Sequence, residues 1–390
     1  MKILLLITLL VFTNHIKSQT IIAFYNLENF YDTIDNPITT DEEFTPSGIK
    51  KYGTHIYTDK IFHLATVLSS IGSHYDARGP ALIGVAEIEN DTVLYDLKNH
   101  FLLRERNYQF IHFDSRDARG VDVALFYRPQ KFIPIYRTKL MVALPGGAKE
   151  AYFTRDILYV KGLLEKDTLH VFVNHWPSRR GGEERSAPAR EAAAAVCRKT
   201  VDSIQHIIPD AAIIIMGDLN DNPSDKSIRD VLKSTGIKSE VKEHMFFNPW
   251  VAFLQNGVGT LAHNDTWGLF DQILVSKSMI NTLTTGWKLH RAFIFYKPYL
   301  TETKGKYRGY PKRTWEGNTY NGGFSDHFPT YIVLEKNVQN LKPAPTVPIQ
   351  ISLTLKLLNP TIHLPLSTLK PRPSLVSTSP VWVSHQTVGK

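Results

Sequence analysis

Short apolar runs, each ending in a polar residue able to do chemistry, recur along this chain. Residues 21–25 lead into Asn26-Leu27-Glu28-Asn29, 81–86 into Glu87-Ile88-Glu89-Asn90, and 169–173 into Asn174-His175-Trp176. Residues 211–216 lead into Gly217-Asp218-Leu219-Asn220, and Asp271 opens the run 272–276. The run 211–216 is too short for most helices and β-branched enough to be a buried strand, and the others share its form. Between the runs, 58–71 carries Ile61, Leu64, Ala65, Leu68 and Ile71 at helical spacing, and 92–103 repeats this with Val93, Leu94, Leu97 and Phe101. Residues 189–206 are alanine-rich and helix-prone. The alternation predicts an α/β fold.

Side chains two apart on a strand face the same way, so Asp218 and Asn220 are expected to project together from its carboxyl end. Open α/β sheets bind ligands there, and a carboxylate beside an amide suits a hard cation or a phosphate. One such end alone reads equally as a strand cap or the start of a turn. A sixth segment, Gly323-Phe324-Ser325-Asp326-His327-Phe328-Pro329, completes a set carrying Asn, Glu, His, Asp/Asn, Asp and Asp/His. Coincidence does not account for such a set.

In this order the motifs resemble the endonuclease/exonuclease/phosphatase superfamily, the deoxyribonuclease-I-like metal-dependent phosphodiesterases and phosphomonoesterases, over residues 20–335. The run from Arg119 through Asp122 to Arg128 resembles a strand that bacterial extracellular endonucleases of this group carry before the central histidine. Gly-Asp-x-Asn alone would also suit calcineurin-like metallophosphatases, but the Asp-x-His and Gly-Asn-His-Glu/Asp segments they need are absent. The resemblance implies a four-layer α/β sandwich, two mixed β-sheets packed face to face with helices outside and the site where strands end.

It also implies roles. Glu87 is expected as the principal metal ligand with Asn26 beside it, and Asp326 as a contributor to a second metal or to water activation. Mg²⁺ is the expected cation, with Mn²⁺ or Ca²⁺ as substitutes; Mg²⁺ prefers few carboxylates and keeps most of its waters. His327 would sit on the scissile phosphate, oriented by Asp271, with His175 as the second imidazole across it. Asp218 and Asn220 would position the attacking water or bind the phosphate. The base is open between Asp218 and the histidine dyad, because an imidazole with an ordinary pKa near 6.5 serves in either direction. Glu28 and Glu89 read as supporting or exposed groups rather than ligands.

Arg179 and Arg180, in the loop after His175, suit phosphate capture, although a solvated loop explains them as well. With Asn174 and Arg119 they form the expected substrate contacts. The expected reaction is metal-assisted, in-line attack of water on DNA or RNA, by an endonuclease. The alternative keeps the chemistry on a lipid or inositol phosphate, as in sphingomyelinase-like relatives, with residues 293–299 as an aromatic membrane-contacting hairpin. A core-packed strand is the other reading of that segment. A non-catalytic binding protein is disfavoured because no expected position is lost. Tyr307-Arg308-Gly309-Tyr310 and Arg313-Thr314-Trp315 alternate base-stacking with phosphate-binding chemistry, and would serve equally as loop anchors.

Composition bounds the rest. Met1-Lys2 precedes the apolar residues 3–12, a secretory signal too short to span a bilayer. Cleavage near Ser18–Gln19 would release an exported protein, periplasmic or extracellular. No cysteine follows that stretch, so a lipoprotein anchor is not expected. Cys197 is the only cysteine, which rules out an internal disulfide and reads as helix packing. A monomer without a disulfide-linked partner or membrane insertion is expected, stabilised by its core. The net charge of +8 belongs to the ends: two of the 45 basic residues lie in 1–18 and six in 336–390, and neither segment holds an acid. The catalytic body, 19–335, is therefore balanced against its 37 acidic residues and gives no general argument for nucleic-acid binding. The tail has eight prolines in residues 337–390, a composition that packs no core. It reads as a linker or disordered extension, or as an altered reading frame.

Overall fold

The computed structural model describes residues 17–144 and 153–337. The expected signal peptide, apart from Lys17 and Ser18, and the Pro-rich tail, apart from Lys336 and Asn337, lie outside the described residues. Those four residues are paired strand, Lys17 with Asn337 and Ser18 with Lys336, so both expected boundaries fall within one ladder.

In chain order the elements are β1 (Lys17–Phe30), α1 (Thr54–Ser70), β2 (Leu82–Ile88), α2 (Asp91–Asn99), β3 (Gln109–His112), β4 (Asp122–Tyr127), β5 (Phe132–Leu140), β6 (Ile157–Leu164) and β7 (Asp167–His175). There follow α3 (Glu183–Ile207), β8 (Ile213–Asp218), β9 (Ser234–Thr235), β10 (Phe246–Phe247), α4 (Trp250–Gln255), β11 (Leu261–His263) and β12 (Thr266–Gly268). The last are β13 (Asp271–Ser276), β14 (Lys288–Ile294), β15 (Trp315–Glu316), β16 (Thr319–Tyr320) and β17 (Thr330–Asn337). One sheet has the order β14-β17-β1-β2-β4-β3, the other β5-β6-β7-β8-β13-β10-β9. Both are mixed: β1 and β2 pair in parallel, as do β7 and β8, while most other pairs are antiparallel.

Strand periodicity builds the layers. Ile22 and Phe24 of β1 point to the interface between the sheets, meeting Val171 and Val173 of β7 and Ile214 and Met216 of β8 in one core. Their neighbours Ile21, Ala23 and Tyr25 point the other way, against Leu64 and Leu68 of α1 and Leu94 and Leu97 of α2. On the second sheet Phe172, Ile213 and Ile215 face Ala193, Ala194, Cys197 and Val201 of α3. A strand with apolar residues on both faces must be covered on both, and the result is the expected four layers. Each helix begins before its apolar stripe, α1 at Thr54 and α3 at Glu183, while α2 stops at Asn99. Asn90 caps α2, its side chain accepting from Thr92 N and Val93 N. Residues 293–299 are the end of β14 and a short turn: Phe293 stacks on Tyr331 at 4.8 Å and Phe295 is buried. No helix among the described residues is long and apolar enough to cross a membrane.

Candidate active site

Strand register brings the polar ends together. Parallel pairing sets Asn26 opposite Ala86, one residue before Glu87, and His175 opposite Asp218. Antiparallel pairing sets Asp271 opposite the same Asp218. The ends of β1, β2, β7 and β8 and the start of β13 thus share one edge. The two sheets are joined there by Asn26 Nδ2 donating to Asp218 Oδ2 at 3.0 Å.

The backbone at this edge is bent. Glu28, Glu87 and Asn220 adopt left-handed conformations, with φ of 50°, 61° and 51°, and the β2 ladder shifts register between Ala86 and Ile88. Such positions cost about 1–3 kcal/mol each and persist where their surroundings hold them; a bulge also re-aims side chains. The functional groups supply the hold: Glu28 N donates to Asn26 Oδ1 at 2.9 Å, Asn29 N to Glu87 Oε2 at 2.8 Å, and Asn220 N to Asp218 Oδ1 at 3.0 Å. Gly217 allows β7 and β8 to close up, since a Cβ there would meet Asn174 O at 2.2 Å.

His327 arrives from the turn before β17. Ser325 Oγ donates to Asn26 O at 2.7 Å and accepts from His327 N at 3.1 Å, fixing this turn to β1. His327 Nδ1 lies 2.7 Å from Asp271 Oδ2. The carboxylate only accepts, so Nδ1 carries the proton and Nε2 faces the cleft. There it is 3.9 Å from Asp218 Oδ2 and 3.8 Å from Asp326 Oδ1. His175 Nε2 approaches the same Asp218 oxygen at 3.6 Å and Glu87 Oε1 at 3.7 Å, and its Nδ1 is buried without a partner among the described residues.

The two imidazoles are driven apart. Burial lowers the His175 pKa, and the guanidiniums of Arg155 and Arg119 push it further, well below its ordinary value. Burial acts on His327 too, but the Asp271, Asp218 and Asp326 carboxylates outweigh it and hold this ring well above the ordinary range. Burial, opposed by His327 and aided by the Asp271 charge, raises the Asp218 carboxyl to about 7.

Not every expected residue turns into the cleft. Asn220 does not continue the strand beside Asp218, because its left-handed backbone turns it and its Nδ2 donates to Trp176 O at 3.0 Å. Asn174 is buried, bonding Met216 O through Nδ2 and accepting from Trp176 Nε1, so its amide braces the β7–β8 edge. Arg179 is spent on Glu183, Asp221 and Asp225, with its guanidinium over the Phe270 ring, whereas Arg180 is exposed. Arg119 sits at the site margin, with Nε 3.6 Å from Asp117, and Glu87 among the charges acting on it. Asp326 is partly exposed and faces Arg313 at 3.5 Å. Asp122 lies outside, bonded to Ser115 N and near His112.

Several supporting residues brace the site. Arg155 is buried and grips His175 O at 3.2 Å, Trp176 O at 2.5 Å and Asp117 at 3.1 Å. Glu28 accepts from Thr314 N and Trp315 N, while buried Lys60 donates to Thr314 Oγ1, so both fix the 313–315 segment beside Asp326. Glu89, also buried, accepts from Asp32 N. Arg155 and Lys60 lie apart from any motif, whereas Glu28 and Glu89 stand inside two of them and act as supporting groups, as expected.

The donor set fits a hard divalent cation. Glu87 Oε1 carries no hydrogen bond among the described residues, Asp271 Oδ1 is a buried orphan, and Asp218, Asp271 and His327 place ligand atoms within 4.8 Å of one another. Buried carboxylates in such numbers call for a counter-charge, and oxygen donors suit Mg²⁺, Mn²⁺ or Ca²⁺. Asn26 has both amide groups engaged and retains one lone pair on Oδ1. A cavity of about 1070 Å³ lined by Lys131, Asp167 and Lys288 lies at the other end of the strands and touches none of these residues.

Comparison with known proteins agrees with this fold. The model of the Endonuclease/Exonuclease/phosphatase family matches residues 21–336. Among solved structures, an endonuclease/exonuclease/phosphatase family protein from Bacteroides thetaiotaomicron is 16% identical, with 83% of this chain and 100% of that one covered and a TM-score of 0.50. A mannosyl-6-phosphatase from the same organism is 16% identical, with 81% and 99% covered and a TM-score of 0.50. ANGEL2, a 2′,3′-cyclic phosphatase, is 11% identical, with 83% and 96% covered and a TM-score of 0.52. At these identities the likeness is one of fold. No curated protein sequence matches the chain.

Proposed function

This chain belongs to the endonuclease/exonuclease/phosphatase family, whose members are metal-dependent hydrolases of phosphoester bonds, and from that premise we propose that it is an exported Mg²⁺-dependent nuclease cleaving phosphodiester bonds of DNA or RNA. The carrying observation is that two buried imidazoles approach one carboxylate oxygen, Asp218 Oδ2, at 3.6 and 3.9 Å. A diester has an alkoxide to expel and so profits from a proton donor as well as a water activator.

In this reading Glu87 and Asn26 would hold the cation, with Asp326 at its margin, where it would supply a counter-charge for the phosphate. His327, held through Nδ1 by Asp271, presents a protonated Nε2 to the leaving oxygen. Asp218, between the two rings, takes the proton of the attacking water. Neutral His175 donates or accepts at the phosphate through Nε2, and its position is fixed by Arg155 on the adjoining carbonyls. Arg119 and Arg180 supply outer phosphate contacts. Arg179 and Asn174 act by holding the loop and the strand edge.

Phe295 is buried and Phe293 stacks on Tyr331, so these two rings belong to the core rather than to a membrane-contacting tip, while Tyr296 and Tyr299 stay exposed. Export rests on the apolar run 3–12 behind Lys2; fractionation of cells expressing the full chain tests it, and retention in the cytoplasm would reject it. The function is tested with the purified chain on plasmid DNA and on RNA, with Mg²⁺, with EDTA, and as the His175→Ala/His327→Ala variant. Cleavage that needs metal and both histidines supports the nuclease. A folded, metal-binding protein that cleaves neither polymer but hydrolyses a phosphomonoester or a phospholipid overturns it.

A further inference from the structure

A row of aromatic rings starts at Phe328, the residue after His327. Phe328 lies parallel to Trp267 at a centroid distance of 6.2 Å and edge-on to Tyr296 at 5.5 Å. Trp267 meets Tyr310 at 5.8 Å, and Tyr310 meets Tyr307 at 5.7 Å. Phe328 is buried, Trp267 and Tyr310 are half-buried, and Tyr296 and Tyr307 are 57% and 39% exposed. Single exposed aromatics need no explanation, but a contiguous row that starts one residue after the active-site imidazole and runs into solvent does.

The row is held in place. The Tyr310 hydroxyl donates to Asp265 Oδ1 and accepts from Asp265 N, each at 2.7 Å, tying the 302–310 loop to the β11–β12 hairpin. Glu302 N donates to Tyr310 O and Gly309 N to Glu302 O, closing the loop on itself. The rings are thus set before any ligand arrives, which lowers the ordering cost of binding.

Charge singles out the same segment. The body as a whole is balanced, yet residues 296–313 carry Lys297, Lys304, Lys306, Arg308, Lys312 and Arg313 against Glu302 alone. Arg313 faces Asp326 and Glu302 is occupied by Asn321. Lys304, Lys306 and Arg308 are exposed and form no ion pair among the described residues; Lys306 lies over the Tyr307 ring at 5.5 Å.

We propose that Trp267, Tyr310 and Tyr307, with the basic loop carrying the two tyrosines, form a base-stacking subsite that binds a single-stranded stretch of polynucleotide beside His327. Flat rings interleaved with cations match alternating bases and phosphates. A duplex keeps its base faces covered by one another, so only an unpaired strand can lay them on these rings. A membrane surface would instead call for an apolar tip, and here the rings alternate with lysine and arginine and are pinned by polar bonds. The inference rests on the nuclease reading above and adds the strandedness of its substrate.

The test uses the full chain with labelled twelve-residue oligothymidylate and oligouridylate, and bis(p-nitrophenyl) phosphate as a small diester that reaches the cleft but not the rings. For Tyr307→Ala and Tyr310→Ala, the ratio of kcat/KM on the oligomer to kcat/KM on the small diester is expected to fall about tenfold per ring, through KM. The triple variant Lys304→Gln/Lys306→Gln/Arg308→Gln should flatten the dependence of log KM on log salt by about 2. Residues that merely anchor loops would lower the folded fraction and leave ratio and salt slope as in the wild type, which overturns the subsite. Wild-type protein that cuts duplex plasmid but neither oligomer also overturns it, while keeping the nuclease. Protein that hydrolyses the small diester and no polynucleotide removes both readings, and co-sedimentation with phosphatidylcholine/phosphatidylserine vesicles would then identify a lipid surface as the occupant.

Discussion

Asp271 accepts from His327 Nδ1 at 2.7 Å through one oxygen, while its second oxygen is buried without a partner among the described residues. The pair therefore fixes both the tautomer and the direction of the ring. Asp271→Asn keeps the volume but removes the charge and the obligatory acceptor. It should lower kcat on a small diester by roughly 100- to 10,000-fold, the range that a positioned proton donor supplies. Thermal unfolding is the control, and a variant that is folded and fully active would reject the role given to this pair.

Glu87 has one oxygen holding the bent backbone at Asn29 and one with no hydrogen bond. Mg²⁺ at one hundred times its Kd should stabilise the wild type by about 2.7 kcal/mol, on the order of 5 °C in unfolding midpoint for a protein of this size. Glu87→Gln should lose most of that shift. An equal shift in both proteins, followed by calorimetry, would place the cation elsewhere.

Gly217→Ala forces a methyl group against Asn174 O, at a starting distance of 2.2 Å. The two strands that carry His175 and Asp218 would have to part. The expected cost is about 1–3 kcal/mol in urea unfolding, with a fall in kcat beyond what the folded fraction explains. Unchanged stability would show that the β7–β8 edge yields freely.

His170 tests the pH response away from the cleft. Burial, helped by the Lys161 charge, pushes its pKa down to about 4, and the Tyr159 hydroxyl lies 2.8 Å from Nδ1. The unfolded chain takes up this proton near pH 6.5, the folded one only near 4. The stability that comes from keeping the ring neutral is therefore present above pH 6.5 and lost as pH falls towards 4. In His170→Gln the loss of unfolding free energy between pH 7 and pH 4.5 should be smaller than in the wild type. Parallel curves would exclude the coupling.

The sequence by itself determined the α/β alternation and the polar strand ends that the fold gathers. The runs ending at Asn26, Glu87, His175 and Asp218 are legible because strand burial and strand ends are local properties, written in a period of two and a change of polarity. The stripes of α1 and α2 are legible for the same reason. What each polar group does at its strand end is not local. Asn174 and Arg179 carry the right chemistry, yet neighbouring strands and acids consume their hydrogen bonds. Asn220 obeys strand parity on paper but leaves it through a left-handed turn closed by Asp218. Arg155 and Lys60 show no motif because their partners lie 20 and 254 residues away. The rings of Tyr307 and Trp315 stand eight positions apart in one loop, one exposed and the other buried with Tyr52 and Phe44. A hydrogen bond or a buried face is assigned only when distant segments compete for it in three dimensions, and that competition is decided by the tertiary structure.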